Sequence, residues 1–389
     1  MFSDAPIRPW LDRLRDEVPG LDPFDVHTHI GANDPDGYRC SPEQLAAALD
    51  SAGARGVVFP MHEPDGYPPA NDRILAAATE SGGRLTAFCR LDPDVQPVAE
   101  AERCLEAGAA GLKLHPRAEG FTLDHPALPD VFALADERRV PILCHAGRGI
   151  PALGRHALDL CGRFRGARLI LAHAGICDLA WIWRPARDHA NLFFDTSWWA
   201  PADLLALLAL VPPGQVLFGS DAPYATPAFA LTLALRYSLQ TGLSAEQVRG
   251  LTGGQVERLV AGEEPLDLGP APGAESLPRD PLLDRIYGLL MSAVGQMMVR
   301  REPHEVLALT RLACEVGDDA PQTAVCSSVL ALLEERRRHV AEGRGDGRPP
   351  RFAPGIHLVV LAAGIARTPD VPLPPDPVPV NVAERAARG

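Results

Sequence analysis

The sequence predicts an α/β fold, a (β/α)8 TIM barrel, with an additional mainly helical C-terminal region. From Pro23 to about Gln240, short runs rich in β-branched and aromatic residues alternate with longer segments of helical periodicity. Eight such repeats occupy about 240 residues, which is the usual size of a barrel of this kind. A doubly wound open sheet is the alternative, but it needs a glycine-rich phosphate turn after an early strand, where this chain has HTHIG.

Each repeat begins with a short apolar run that is bounded by turn residues and followed by a helical pattern. The helix that begins after Ser41 has a serine N-cap, Pro42 at its first position and Glu43 in its first turn. A further helix, 244–260, is expected to close the barrel. The predicted strands are 24–29, 56–60, 85–91, 110–115, 140–145, 168–173, 191–197 and 215–221.

The composition changes after the barrel and divides the chain into four segments. Residues 1–262 form the predicted barrel, and 263–281 are a linker rich in proline, glycine and acidic residues. Residues 282–367 are predicted to be mainly helical, although GIHLVVLAAGI fits either a strand or a buried helix. The Pro-rich tail, 368–389, is expected to be disordered or to wrap along the surface. The C-terminal region either caps the barrel or forms an interface of a homo-oligomer.

Composition and charge exclude several classes of protein. The net charge is −13, with no basic block, so nucleic acid and anionic membrane surfaces are not expected as partners. The eight cysteines include no CxxC pair and lie mostly in apolar segments, as reduced thiols do. No apolar run is long enough to span a bilayer, and the first residues lack a secretory pattern. A cytoplasmic protein is expected.

Ionisable side chains concentrate at the ends of the predicted strands. Twelve histidines are present, and five of them lie at strand ends, with an aspartate at the end of the eighth strand. The carboxyl ends of the strands of a TIM barrel form its active site, so these groups are expected to converge at one mouth. The six residues are His27, His29, His115, His145, His173 and Asp221.

These residue types suit a divalent metal. Imidazole nitrogen and carboxylate oxygen are ligands of zinc and other first-row metals. Three histidines and one aspartate that leave a position open for water are typical of a catalytic site. Such a metal lowers the pKa of a bound water and polarises a substrate carbonyl, while a nearby carboxylate accepts the proton and a further imidazole stabilises an oxyanion.

The ordered motifs HTH, GLKLHP, CHAGRG, LAHAG and LFGSDAPY resemble the amidohydrolase superfamily. More narrowly, they are similar to its amidohydrolase-related branch, which includes aminocarboxymuconate-semialdehyde decarboxylase and similar non-oxidative decarboxylases. The resemblance covers about residues 20–262. It implies that His27, His29, His145 and Asp221 bind one metal ion, expected to be Zn²⁺. It also implies that Asp221 accepts a proton and that His173 polarises the substrate or acts as acid or base.

Lys113 is notable because every other of the 37 basic residues is arginine. A site that needs a primary amine would retain lysine, since arginine cannot deprotonate at working pH. Lys113 and His115 alternate onto the same face of the fourth strand, so either can point into the site. In some superfamily members a carboxylated lysine at this strand bridges two metals, so a second metal remains an alternative. Gln255 replaces the usual asparagine of the closing helix, with structural consequences only.

Substrate specificity is expected to come from the loops after the strands. Arg117 and Arg148 could clamp a carboxylate, although surface ion pairs explain them equally well. Trp198 and Trp199 follow the seventh strand, where one could form a wall for a planar substrate while the other packs against a helix. The residues predicted to bind substrate are Lys113, His115, Arg148 and Trp198.

Three functions fit this pattern. The first is a metal-dependent hydrolase that acts on a small-molecule substrate with a carboxylate, by means of a metal-activated water. The second is a metal-dependent non-oxidative decarboxylase that uses the same site. The third is a barrel without catalysis that serves as a binding scaffold, for which no stoichiometric metal is expected.

Overall fold

A parallel sheet of eight strands is the centre of the molecule. The computed structural model describes residues 3–277, 279–341 and 352–375. The strands pair in chain order, each with the next and all in parallel. They are β1 (Phe24–Ile30), β2 (Arg55–Pro60), β3 (Leu85–Arg90), β4 (Gly111–Leu114), β5 (Pro141–Cys144), β6 (Arg168–Leu171), β7 (Leu192–Asp195) and β8 (Val216–Leu217).

The chain just beyond β8 closes the sheet onto β1. The amide of Val26 donates to the carbonyl of Phe218 at 2.9 Å, and the amide of His29 donates to the carbonyl of Ala222 at 2.7 Å. In return the amide of Asp221 donates to the carbonyl of His27 at 2.9 Å. The prediction of a (β/α)8 barrel with a helical C-terminal region is therefore confirmed.

Helices surround the barrel and continue after it. Ser41 caps the helix after β1 through a reciprocal capping box with Gln44, as its sequence predicts. The first helix, before β1, is not among the predicted elements. The helices are α1 (Arg8–Glu17), α2 (Pro42–Ser51), α3 (Pro68–Glu80), α4 (Pro97–Glu106), α5 (Pro116–Glu119), α6 (Leu128–Arg138), α7 (Gly154–Arg163), α8 (Leu179–Ala186), α9 (Pro201–Leu210), α10 (Pro227–Gln240), α11 (Ala245–Arg249), α12 (Gln255–Val260), α13 (Pro281–Met298), α14 (His304–Ala313), α15 (Thr323–Ala341) and α16 (Ile356–Ala366).

The apolar residues of the strands divide between two cores. On β5, Leu143 packs inside the barrel with Phe59, while Ile142 and Cys144 pack outward against the helices. Val256 of α12 also joins the inner core, so α12 closes the end of the barrel opposite the mouth. Side chains alternate between the inside and the outside of the barrel along each strand. Near the strand ends, the inward side chains and the residues of the following loops therefore line the mouth.

Six of the strands, β3 to β8, are shorter at their carboxyl ends than the sequence predicts. β5 ends at Cys144 and β6 at Leu171, so His145 and His173 lie in the loops that follow. Asp221 lies four residues beyond the end of β8. The amides of His145 and Asp221 still donate to the neighbouring strands, at Leu114 and His27, while the side chains lie at the mouth of the barrel.

The C-terminal region packs on the barrel through α16. The segment GIHLVVLAAGI, for which strand and helix were both open, forms α16, and every residue of this helix after Ile356 is buried. Arg236 of α10 donates to Thr368 Oγ1 at 3.0 Å and to the carbonyl of Thr368 at 3.0 Å. Residues 368–375, expected to be disordered or surface-wrapped, therefore begin with a buried contact to α10. The rest of the predicted tail, 376–389, lies outside the described residues.

Two further observations complete the fold. Gln255 accepts a hydrogen bond from the amide of Leu266 at 2.7 Å, so it attaches α12 to the segment that leaves the barrel. In the described part of the chain, none of the helices has the length and apolar character needed to cross a membrane.

Candidate active site

Three of the four predicted metal ligands form a cluster at the barrel mouth. Ligand atoms of His27, His29 and Asp221 all lie within 4.8 Å of one another. Asp221 Oδ1 is 3.3 Å from Nε2 of His27 and 3.1 Å from Nε2 of His29. Two ligands of one tetrahedral ion, each about 2.0–2.2 Å from it, lie about 3.3–3.5 Å apart. The spacing of these donor atoms therefore fits a single divalent metal.

Asp195, at the end of β7, orients His27 and was missed by the sequence interpretation. Its Oδ2 lies 2.7 Å from His27 Nδ1, and both side chains are buried. A carboxylate at Nδ1 keeps the proton on that nitrogen, so the lone pair of Nε2 faces Asp221 and is available for a metal. The motif FFDTS gave a signal, because it places an acid at the end of a predicted strand, as LFGSD also does.

His145 and His173 form a chain of hydrogen bonds that fixes both rings. His173 Nδ1 lies 2.7 Å from the carbonyl of Ser197 and therefore donates to it. His173 Nε2 then accepts from His145 Nδ1 at 3.0 Å. The remaining nitrogen of His145, Nε2, is buried and has no hydrogen-bond partner in the part of the chain that the structure describes. This lone pair fits a fourth ligand, although His145 lies outside the cluster of the other three.

The two residues predicted to be catalytic have unusual backbone conformations. His173 has φ of 57° and Asp221 has φ of 61°, both in the left-handed region that non-glycine residues rarely adopt. Such conformations persist only where the surrounding structure imposes them, and they cluster at functional sites. The backbone therefore holds these side chains at the mouth at some cost in free energy.

Gly147 of the CHAGRG motif is required by close packing of the two histidines. A Cβ at this position would lie 2.7 Å from His173 Cδ2 and 3.1 Å from His145 Cε1. Neither ring can move away without breaking the hydrogen bond between them. A side chain at residue 147 would therefore displace the predicted metal and acid–base groups.

Burial shifts the titration of the clustered groups. Burial lowers the pKa of His27 and His29 well below the usual range, and the charge of Lys113 lowers both further. Burial likewise lowers the pKa of His145. Burial raises the pKa of Asp221 to about 6, while His173 and Lys113 oppose that shift. Neutral imidazoles are the form that binds a metal, and a bound cation would keep Asp221 ionised.

Lys113 is fully buried beneath the cluster. Its Nζ has no hydrogen-bond partner among the described residues and lies 4.7 Å from the centre of the Phe59 ring. Burial lowers the pKa of Lys113 to about 8, and the positive charge of Arg90 contributes to this shift. The amine therefore loses its proton at a lower pH than an exposed lysine does, and its role in the site stays a prediction.

His115 has a structural role in addition to lining the site. Its Nδ1 accepts a hydrogen bond from the amide of Ala118 and caps the short helix α5. Its ring stacks on that of His145, with centres 4.1 Å apart and planes at 9°. His115 therefore supports His145, and direct contact with substrate stays a prediction.

Arg90 is a second residue that the sequence interpretation missed. It ends β3, is buried, and pairs with Glu119 at 2.7 Å. Its guanidinium also lies 4.8 Å from the centre of the Tyr67 ring. A charged residue at the end of LTAFCR was the available signal, since a buried arginine inside a barrel mouth needs a partner.

The predicted substrate-binding residues lie at the rim of the site. Arg117 and Arg148 are exposed and both line the cavity described below. Trp198 is half-buried and donates from Nε1 to Asp203 at 2.7 Å, so one edge of its ring is held in place. Trp199 lies beside it, with ring centres 5.6 Å apart. Both tryptophans line the cavity, so neither serves packing alone.

A cavity of about 700 Å³ extends from these residues to the C-terminal region. Ligand pockets of about 300–1,000 Å³ are usual, so this one accommodates more than a very small acid. We call its polar side, at the strand ends, the floor. It includes His27, His29, Arg90, Lys113, His115, His145, His173 and Asp221. We call its mainly apolar side the roof, which consists of Phe229, Ala230, Leu233, Met298, Phe352, Ala353, Pro354, Ile356, His357 and Val360.

The fold and this cluster define a class of protein, the barrel enzymes that use a metal bound at the strand ends. The sequence model of the family described as amidohydrolase matches residues 7–259, and the chain belongs to this family. The resemblance inferred from the motifs and the prediction of an enzyme are thus confirmed. No curated protein matches the sequence.

Solved structures show the same fold at low sequence identity. An uncharacterised TIM-barrel protein from Bordetella bronchiseptica has 16% identity and a TM-score of 0.51, over 62% of this chain and 99% of that one. The 2,6-dihydroxybenzoate decarboxylase from Rhizobium has 15% identity and a TM-score of 0.50, over 62% and 99% of the two chains. A dihydroxybenzoic acid decarboxylase from Polaromonas, with bound manganese and 2-nitroresorcinol, has 15% identity and a TM-score of 0.51, over 62% and 97%.

The family match covers the floor and the roof of the cavity to different extents. The family match ends at residue 259, within α12, so it includes the whole floor. It excludes the region from α13 to α16, which supplies seven of the ten roof residues, whereas Phe229, Ala230 and Leu233 of α10 lie within the match. The C-terminal region is therefore an addition of this chain to the family barrel.

Proposed function

We propose that the protein is a metal-dependent hydrolase that acts on a small carboxylated substrate by means of a metal-activated water. The observation that carries this proposal is the cluster of His27, His29 and Asp221 beside a fixed His173. Donor atoms at this spacing, with an open cavity on one side, are typical of a catalytic site and not of a structural one.

The residues divide the chemistry among them. When bound, a divalent metal supplies Lewis-acid activation of a water and of the substrate carbonyl. Asp221 is the proton acceptor, because its carboxylate lies at the metal-binding nitrogens and opens toward the cavity. His173 lines the cavity, and Ser197 holds its Nδ1. Its Nε2, which accepts from His145 Nδ1, is the proposed base, and once protonated it can polarise a carbonyl or return the proton. Lys113 and Arg148 supply positive charge for a substrate carboxylate.

A single Zn²⁺ is the proposed metal. Three imidazoles and a carboxylate match its ligand preference, although the Polaromonas neighbour holds manganese. A second metal on a carboxylated Lys113 is the alternative. Elemental analysis of the purified full-length chain separates them: one equivalent supports the proposal and two equivalents support the alternative.

His27→Ala tests whether the cluster binds that metal. The variant removes a ligand together with its Asp195 contact, so metal content should fall below one-tenth of an equivalent. His189→Ala, which removes a half-buried imidazole bonded to the carbonyl of Pro185 in the preceding helix, is the matched control and should keep full metal. Full metal in both variants would overturn the site. No metal in the parent protein would favour the scaffold hypothesis.

Non-oxidative decarboxylation is the second candidate. It is favoured by the cationic groups on the floor, which suit a substrate carboxylate, and by the decarboxylases among the similar folds. In this reaction His173 or Asp221 would deliver a proton to the carbon that loses carbon dioxide, and no water would be consumed.

Isotope labelling distinguishes the two reactions. Lactones, amides and aromatic acids would be incubated with the metal-loaded enzyme in water enriched in ¹⁸O or ²H. Hydrolysis places ¹⁸O in a product carboxylate and releases no carbon dioxide. Decarboxylation releases carbon dioxide and places ²H on carbon. Turnover of the second type alone would reject the hydrolase proposal while retaining the metal site.

We further propose a cytoplasmic location and a homo-oligomeric state. All eight cysteines are free thiols, which supports a reducing compartment. Leu309 and Leu312 of α14 are 43% and 60% exposed, which supports a contact between copies of the chain. Neither nucleic acid nor membrane is proposed as a partner. Light scattering on the eluted protein tests the oligomeric state, and a monomer would reject it.

A further inference from the structure

The roof and the floor face each other across one cavity but differ in chemistry. The floor contains imidazoles, carboxylates and two buried cations, Lys113 and Arg90. The roof consists of aliphatic and aromatic side chains, and His357 brings its one ionisable group. A pocket with a few polar groups at one end and apolar walls at the other is suited to a ligand of matching polarity.

The roof is a wall of the cavity and not simply part of the core. Met298, Phe352 and Ile356 are only half-buried, and all three line the cavity. Part of their apolar surface is therefore open to the cavity, where a ligand can cover it. Covering apolar surface stabilises a complex by about 25 cal/mol for each Å² removed from water. The exposed part of this wall therefore favours binding of an apolar group.

The roof is held firmly, so it is formed before a ligand arrives. Along α16, Leu358, Val359 and Leu361 are buried in the core that includes α10 and α13. Arg236 of α10 binds Thr368, two residues after α16. Phe229 of α10 contacts His357 edge to face, with ring centres 6.3 Å apart. A preformed apolar wall binds without a further ordering cost.

We propose that the substrate is amphiphilic, with a carboxylate or acyl head on the floor and an extended alkyl or aryl group against the roof. This inference rests on the proposed function and specifies its substrate class. The C-terminal region is then the specificity determinant: the family barrel supplies the reaction, and α13 and α16 select substrates with an apolar tail. A short acid such as acetate would fill the floor and leave the roof wet.

Straight-chain carboxylates from acetate to decanoate are suitable probes. Their dissociation constants for the metal-loaded, full-length protein would be measured by isothermal titration calorimetry. We expect the affinity to rise about threefold for each added methylene until the chain reaches the end of the cavity. Affinity that does not change from butanoate to decanoate would overturn the inference.

Two neighbouring residues provide a matched pair of variants. Met298→Gln keeps the size of a side chain that lines the roof but makes it polar. Val299→Gln makes the same chemical change at the next residue, which is 65% exposed and does not line the cavity. The first should weaken decanoate binding about fivefold to tenfold and leave acetate unchanged, and the second should change neither.

Ile356→Trp provides a second variant in case Met298→Gln does not fold. The larger side chain fills part of the roof, so the gain in affinity should stop at a shorter chain. Chain-length dependence that is identical in the parent protein and both roof variants would place the tail elsewhere and overturn the inference.

The same titrations distinguish this inference from the proposed function. Acetate binding should disappear when the metal is removed, because its head contacts the floor alone. If acetate binds equally well without metal, the proposed function fails. If acetate binding depends on metal while added methylenes bring no gain, only the inference about the roof fails.

Discussion

The floor and the roof of the cavity are built by opposite rules. The floor buries His27 and Lys113 and leaves Asp221 partly exposed, and two of its residues have left-handed backbone conformations. The apolar side chains of the roof belong to segments that are themselves packed into the main hydrophobic core. The floor therefore costs stability for the sake of chemistry, whereas the roof contributes stability and shape. Reaction and substrate range can change separately in such a molecule.

Asp221→Asn is expected to have the largest effect and acts on the floor alone. The amide cannot accept a proton and is a poorer metal ligand, so turnover should fall about 10²- to 10⁴-fold. Binding of the apolar tail should persist, since Asp221 is remote from the roof. Turnover is compared with that of Asp16→Asn, a change at a carboxylate that is 77% exposed. Equal activity in both variants would contradict the role of Asp221.

Asp195→Asn also acts on the floor, where it is expected to lower metal affinity and to have a smaller effect than Asp221→Asn. Asp195 binds His27 Nδ1 and also accepts from the amide of His173 at 2.8 Å. Loss of a group that orients a ligand usually lowers metal affinity about 10- to 100-fold. Metal affinity is measured by competition with a chromogenic chelator. Ser197→Ala, which removes a hydroxyl bonded to both histidines, should have a weaker effect.

The floor could largely be predicted from the sequence, because its residues follow strands. A parallel barrel brings the end of every strand to one mouth, so His27 and Asp221 meet although 194 positions separate them in the chain. The exact ends of the strands were not predictable. The amide of His173 donates to the carboxylate of Asp195 at 2.8 Å and not to a neighbouring strand, so β6 ends before it. His145 lies beyond β5 although its amide still donates to the carbonyl of Leu114 at 3.0 Å.

Other parts of the site could not be predicted, for identifiable reasons. Asp195 and Arg90 are also at strand ends, but an isolated acid or base there has no distinctive spacing. The roof gave no signal at all, because Met298 and Ile356 look like ordinary core residues of amphipathic or apolar helices. Only the packing of α16 on α10 shows that they face the cavity. For the same reason, the sequence could not show whether the C-terminal region caps the barrel or forms an oligomer interface.

Thr368→Val tests how the region that carries part of the roof is anchored to α10. Arg236 is fully buried, and its Nε and Nη2 both donate to Thr368 Oγ1. Removing the acceptor leaves a buried guanidinium short of partners, which should lower the free energy of unfolding by about 1.5–3 kcal/mol. Thr310→Val removes a buried hydroxyl that bonds only its own helix, so it should cost clearly less. Urea unfolding measures both, and equal losses would contradict the anchoring role of Arg236.

Lys113→Met should cause a smaller change in the free energy of unfolding than Thr368→Val, and the change should be a gain in stability. Replacing an amine that lacks a hydrogen-bond partner among the described residues should raise the stability of the metal-free protein by about 1–2 kcal/mol, while activity falls. Because burial depresses the pKa of Lys113 to about 8 from the unfolded value of 10.5, charged Lys113 destabilises the fold fully below pH 8. The gain should therefore shrink as the pH rises from 8 toward 10.5.

Arg236→Met is the matched change on the side of the roof. Arg236 is as deeply buried as Lys113, but Thr368 supplies acceptors for its donors. Its removal should lower stability, because Thr368 and Pro372 lose the donors of Arg236, which weakens the attachment of the segment after α16 to α10. Urea unfolding at pH 7 and pH 10 compares the two variants. A loss of stability in Lys113→Met at pH 7 would show that the buried amine has a structural partner. The buried cations of the floor and of the roof would then both stabilise the fold.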